Sequence, residues 1–344
     1  MVEFLFEYGL FFLKVLTFVI AIVVVMVLAS GLSGSRGSQN ELTVESLNDK
    51  YHDMRDLLRQ TVLSKHEWKA VSKANKKAEK AKEKAAPEGE EARKRTYVIN
   101  FEADMRASAS DSLREEVSAV LSVARTTDEV VVCLENPGGT VHDHGFAASQ
   151  LQRIRAKDIP LVVIVDKVAA SGGYLMACVA NKIVAAPFAI VGSVGVIAQI
   201  PNFNRALESH GVDYEQVTAG KYKRTVTMFG KNTDEDRAKL KEELEDVHHL
   251  FKNMVATYRP ELDIERVATG EHWYGTQAIE LGLIDELGSS DDYLMTATAA
   301  SDIYAITFKG KQSLVQKLQH SLASVGDSLA DWVNDRNVRS RFDR

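Results

Sequence analysis

Leu161-Val162-Val163-Ile164-Val165-Asp166-Lys167-Val168-Ala169-Ala170-Ser171-Gly172-Gly173-Tyr174 carries a hydroxyl from an apolar strand directly onto a glycine turn that opens a helix. Ser171 then sits among unpaired backbone N–H groups at the positive end of a helix dipole. That setting favours negative charge on an attacking oxygen and on an oxyanion beside it. A free serine hydroxyl is a weak nucleophile and needs a base. Taken alone, Ser-Gly-Gly also reads as a serine N-cap with a permissive turn, so companions elsewhere in the chain must decide.

Outward from this stretch, short β-rich runs alternate with helical ones. YVINF from Tyr97, EVVVCLE from Glu129, LVVIVDKV from Leu161 and KIVAAP from Lys182 are separated by helix-like segments such as DSLREEVSAVLSVAR from Asp111. This order predicts an α/β domain with a mostly parallel sheet. Glu135-Asn136-Pro137-Gly138-Gly139-Thr140 follows the second run and precedes a helix. In an open α/β sheet, ligands bind at the carboxyl ends of strands, and glycines there let N–H groups point at an incoming oxygen. Gly138 and Gly139, with Gly172 after the serine, make a candidate oxyanion hole.

No histidine completes a triad. His142-Asp143-His144 has the look of a metal fragment but lacks a third clear ligand, so no metal is expected. A lysine whose ammonium form is disfavoured by burial can serve instead. Lys221 and Lys223, in Thr218-Ala219-Gly220-Lys221-Tyr222-Lys223-Arg224-Thr225 after the strand-like Asp213 to Val217, are both candidates, and composition does not choose between them.

The 344 residues are 45% hydrophobic and 26% charged, enough for one large domain with appendages. A net charge of −6 gives no reason to expect a nucleic-acid partner. Cys133 and Cys178 lie in apolar runs and read as small buried hydrophobes. Leu10 to Leu32 is almost unbroken apolar sequence, long enough to span a bilayer, so residues 1–32 are expected to be a transmembrane anchor. Arg36 and Lys50 give a faint bias toward a cytoplasmic body. Residues 33–96 read as a Gly/Ser joint followed by a charged helical spacer, with helix from Glu41 to Ala86. Thr233 to Tyr258 reads as a capped helix and Ile264 to Leu287 as two shorter ones. In residues 311–344, Leu314, Leu318, Leu322, Val325, Leu329 and Trp332 mark one face of an amphipathic helix.

Taken together, Asn136-Pro137-Gly138-Gly139, Ala170-Ser171-Gly172-Gly173-Tyr174, Gly192-Ser193-Val194-Gly195-Val196, Ala219-Gly220-Lys221-Tyr222-Lys223 and Ala278-Ile279-Glu280-Leu281-Gly282-Leu283-Ile284-Asp285 resemble the signal peptide peptidase A family of serine–lysine membrane proteases. The resemblance implies a Clp protease/crotonase-like domain over residues 97–310. It implies Ser171 as nucleophile, Lys223 as general base, Ser193 as the residue orienting that lysine, and Gly138 or Gly139 as oxyanion donor. It also implies no cofactor, a peptide or unfolded-protein substrate, ring-like homo-oligomers in which neighbours share the dyad, and an inner-membrane location with a periplasmic catalytic domain. Two other readings keep the fold: a crotonase-like acyl-CoA enzyme, which would need neither Ser171 nor Lys223, and a catalytically silent membrane scaffold, which would ordinarily have lost the dyad.

Overall fold

The computed structural model describes residues 7–15, 17–18, 41–85 and 93–310. Seven strands form one sheet in the order β1 (Glu41–Ser46), β10 (Ser301–Lys309), β2 (Lys94–Glu102), β3 (Glu129–Glu135), β4 (Leu161–Val165), β6 (Lys182–Ala185), β9 (Glu286–Leu287). From β10 to β9 every pair is parallel. A second sheet joins β5 (Val168–Ala170), β7 (Ile190–Gly192) and β8 (His272–Tyr274), with the last pair antiparallel.

Side chains alternate across a strand, so each β-branched run feeds two cores. Ile99, Val130, Val132, Val163 and Val165 face one cluster with residues of the helices Ser110–Leu121, Val141–Arg155 and Gly172–Ala177. Val98, Val131, Val162, Ile164 and Ile303 face the other, with Leu47 and Leu294 from the helices Leu47–Val62 and Ser290–Ala297. The five residues of β4 are buried on both faces, as an interior parallel strand requires. Truncating one such side chain to alanine costs about 2–5 kcal/mol.

The expected α/β alternation is present, with β2 starting at Lys94 rather than Tyr97. The expectation of continuous helix from Glu41 to Ala86 is corrected in two places. Glu41–Ser46, with alternating Leu42 and Val44, is strand β1, and Ser46 then caps Leu47–Val62 by accepting the Asp49 N–H. A second start follows at Ser64, where Ser64 and Glu67 exchange hydrogen bonds as a capping box before Lys65–Ala85. Leu47 is buried, and the Asn48 side chain donates to the Ser301 carbonyl and accepts the Ile303 N–H, so the start of the expected spacer is fastened to the sheet. The helix Asp234–Tyr258 forms as read, with Thr233 and Asp236 in a capping box. Within Ile264 to Leu287 the helices are only Ile264–Val267 and Gly275–Ala278, separated by β8 and followed by β9. Asp213 to Val217 forms no strand, because no neighbouring strand pairs with it.

Most of the apolar run Leu10–Leu32, the joint 33–40 and the tail 311–344 lie outside the described residues. Residues 7–15 and 17–18 are helical, and among the described residues no helix is long and apolar enough to cross a membrane.

Candidate active site

Ser171 lies just beyond β5, at the carboxyl edge of the sheets. Its φ of 51° and ψ of −117° are outside the extended conformation of an N-cap, and its side chain makes no capping hydrogen bond. A non-glycine residue in such a region costs about 1–3 kcal/mol and persists only when its surroundings over-determine it. Here they do: the Ser171 N–H donates to the Gly192 carbonyl at 2.8 Å and its carbonyl accepts the Leu175 N–H at 2.9 Å. The backbone is pinned while Oγ has no hydrogen-bond partner among the described residues, the inverse of a capping serine.

The Asn136–Gly139 turn packs against it. A Cβ on Gly138 (φ 91°) would fall 2.7 Å from the Ser171 Cβ, and one on Gly139 would overlap the Met105 carbonyl, so neither position admits a side chain. Gly138 has its N–H engaged by the Asn136 side chain at 2.8 Å. The N–H groups of Gly139 and Gly172 have no acceptor among the described residues, and both glycines line the same pocket as Ser171. Ser171 also opens onto a pocket of about 200 Å³ whose apolar lining includes Val141, Leu175, Val196, Leu250, Phe251 and Met254.

Ser193 (φ 54°) follows Gly192, the residue that holds Ser171. Its N–H donates to the Glu271 carbonyl at 2.7 Å, and its Oγ has only a long, 3.4 Å contact with the Gly270 carbonyl. Lys223 is exposed, does not line the pocket and makes no ion pair or side-chain hydrogen bond among the described residues. One chain therefore places Ser171, Gly139 and Gly172 around one pocket, with Gly138 against Ser171 and Ser193 directly after the residue that holds it, while Lys223 does not line that pocket. Lys221 lies 2.5 Å from Glu235, whose carboxylate raises the lysine pKa above its ordinary range, with Tyr222 adding to the effect. A lysine so stabilised as ammonium is poorly suited to take a proton.

Sequence reading gave Asn136 no role beyond its motif and saw His144 only as part of a metal-like fragment, whereas both are buried against the glycine turns. An Asn two residues before a glycine N–H signals an Asx-turn and could have pointed to Asn136. His142 is exposed beside Asp143, His144 is buried, and no metal-binding cluster exists among the described residues.

The chain matches "Peptidase family S49 N-terminal" over residues 3–151 and "Peptidase family S49" over residues 153–303. It is 47% identical over 320 residues to "Probable protease SohB" of Haemophilus influenzae, covering 90% of each chain. It is 43% identical over 303 residues to "Probable protease SohB" of Buchnera aphidicola, covering 86% of this chain and 99% of the other. Among solved structures, the 1510-N membrane-bound stomatin-specific protease aligns with 68% of this chain and 100% of its own, at 12% identity and a TM-score of 0.43.

Proposed function

The chain belongs to peptidase family S49, and on that premise we propose that it is a membrane-anchored serine endopeptidase with Ser171 as nucleophile and Lys223 of a neighbouring copy as base. The observation that carries the reading is Ser171 itself: a strained backbone, an uncommitted Oγ, two free N–H groups beside it and an apolar pocket in front.

Ser171 Oγ attacks the scissile carbonyl carbon and passes its proton to Lys223 Nζ, which acts as base. The carbonyl oxygen becomes an oxyanion received by the Gly139 and Gly172 N–H groups. Collapse breaks the C–N bond, the amine leaves with the proton from Lys223, and an acyl ester remains on Ser171. Water then attacks the ester carbonyl while giving a proton to Lys223 Nζ; the C–Oγ bond breaks, the acid leaves, and Lys223 returns the proton to Ser171 Oγ. The pocket suits an apolar side chain of an extended peptide, such as a signal-peptide remnant or a misfolded envelope protein.

Placing the base on a neighbour is supported by the Lys221–Glu235 pair and by Tyr222, whose ring lies 5.3 Å from Lys239 Nζ. These contacts tie the lysine-bearing turn to the first two turns of Asp234–Tyr258. The pocket takes that helix only from Val247 onward, about 12 Å farther along its axis than Lys239. Exposed apolar side chains, among them Ile197 and Val217, offer a surface for a second copy.

The mainly parallel sheet with its small second sheet is consistent with the Clp protease/crotonase type. The run Leu10–Leu32 supports the anchor, and we place the catalytic domain in the periplasm, to be tested by a reporter fused after Arg344. The decisive experiment is cleavage of casein or a signal peptide by wild type, Ser171→Ala, Lys223→Ala and Lys221→Ala at matched oligomeric state. Activity lost in the first two variants and kept in the third is expected; cleavage by Ser171→Ala overturns the mechanism.

A further inference from the structure

Two free N–H groups make an oxyanion hole only if their directions are held. Behind them lie Asn136 and His144, both fully buried. The Asn136 N–H donates to the Val168 carbonyl at 2.8 Å and its carbonyl accepts the Ala170 N–H at 3.0 Å, which ties the Gly138 turn to the strand leading into Ser171. Its side-chain Oδ1 accepts the Gly138 N–H. A backbone amide only donates, so the atom facing it must be oxygen, and the orientation of the Asn136 amide is settled. The same oxygen lies 3.0 Å from His144 Nε2, which is therefore a donor, while Nδ1 lies 2.9 Å from the Thr140 carbonyl oxygen.

The imidazole ring also fills the space beneath the second turn. A Cβ on Gly172 would fall 2.4 Å from the His144 ring, and one on Gly173 would fall 2.2 Å from the Asn136 carbonyl oxygen. Turns from two different strands thus rest on one buried, hydrogen-bonded pair. Removing Asn136 would leave His144 Nε2 and the buried Gly138 N–H without their acceptor, and removing His144 would empty the space beneath Gly172 and take one of the two donors from Oδ1, so the pair acts as a unit.

We infer that Asn136 and His144 are positioning residues that hold the Gly139 and Gly172 N–H groups convergent on the oxyanion, an inference that rests on the Ser171 reading above. The His-Asp-His run thereby acquires a use in which His144 braces the site. Losing one oxyanion donor outright lowers kcat about 10²- to 10³-fold; misaligning two that remain present is expected to lower it about 10- to 100-fold.

The test uses the full-length protein in detergent. For wild type, His144→Ala, His144→Gln and Asn136→Ala, it measures kcat and KM on a fluorogenic peptide and inhibition by a peptide aldehyde, whose adduct oxygen needs the hole. The affinity of the uncleaved peptide is measured for the same variants with Ser171→Ala added. Leu294→Ala, in the core on the opposite sheet face, controls for lost stability. We expect kcat and aldehyde affinity to fall together, peptide affinity to stay within about twofold of wild type, and His144→Gln, which keeps a donor, to recover part of the loss. A His144→Ala kcat no lower than that of Leu294→Ala overturns the inference, as does a loss confined to KM and peptide affinity. Should His144→Ala not fold, His144→Leu, which occupies the ring's space without a donor, decides by the same numbers. Wild type that a fluorophosphonate does not label at Ser171 overturns the nucleophile reading and this inference with it; labelled wild type with an unaffected His144→Ala overturns the brace alone.

Discussion

The Ser171 cradle and the segment that carries Lys223 are built by opposite means. In the cradle, backbone is held by backbone: Ser171 by Gly192, Asn136 by Val168 and Ala170, with glycines where chains approach too closely for a side chain. Between Val212 and Asn232 there is neither helix nor strand, and Val217 is 94% exposed. The base of that segment is nevertheless fastened by side chains. The Asn202 amide donates to the Thr227 and Gly230 carbonyls, Asn204 donates to Phe229, and the Phe229 ring packs with Phe203 and Tyr214. Among the described residues, its tip is tied by the Lys221–Glu235 pair and the Tyr222 ring. The contrast teaches that the proposed nucleophile is held inside one chain at the cost of local strain, whereas the proposed base is presented outward on an exposed segment.

The sharpest way to break this contrast is to separate its two halves. Ser171→Ala and Lys223→Ala should each lower kcat/KM by at least about 10⁴-fold. Co-assembling the two inactive variants should restore activity, since some interfaces then pair an intact serine with an intact lysine. A mixed assembly that stays inactive would place both members of the dyad within one chain.

Gly172→Ala should come next in size. The added methyl meets the His144 ring, and overpacking of this kind costs about 1–3 kcal/mol of stability. With the Gly172 N–H displaced, kcat should drop about 10²-fold. Urea melts and initial rates on the same preparation check both; an unchanged rate would show that the cradle tolerates displacement.

A smaller effect is expected beneath the cradle, where the buried Tyr174 hydroxyl donates to the Leu283 carbonyl and Arg259 grips Asp285 through two 2.8 Å hydrogen bonds. Burial opposes charge on Asp285, but the bonds from Arg259 and the Ile183 N–H outweigh it and hold the carboxyl below its ordinary range. A carboxyl lowered on folding contributes stability that is complete above its unfolded pKa, about 3.9, and is lost as pH falls through the folded value. Asp285→Asn should therefore cost about 1–2 kcal/mol at pH 7, a figure reduced because the carboxylate is partly exposed, and the deficit should shrink below about pH 4. Denaturant titrations across that range measure it.

Lys221→Ala should change kcat/KM least, by less than about threefold, because it removes only a solvent-screened, exposed ion pair. A loss as large as that of Lys223→Ala would exchange the roles of the two lysines.

Much of this was legible in the linear chain. Alternating β-rich and helical runs announced the parallel sheet, and Thr233 with Asp236 announced the long helix, because both signals depend on neighbours within a few residues. Strand β1 was hidden in a stretch whose later lysine-rich part dominates its composition, and Asp213–Val217 looked like a strand that no partner came to pair. Asn136 was visible as part of the Pro-Gly-Gly turn, but its contact with His144 needed the fold of the following helix.

The sequence by itself determined the α/β class, the strand-to-glycine turn at Ser171, the glycine loop at Gly138 and Gly139 and the S49 membership, since these reside in local periodicity and in ordered motifs. Only the tertiary structure decided which N–H groups are free, which glycine is spent on Asn136, that His144 is a buried ring behind the turns, and that Lys221 is held as an ammonium by Glu235. The physical reason is that hydrogen-bond satisfaction and burial depend on distances between residues remote in the chain, and no local pattern encodes those distances.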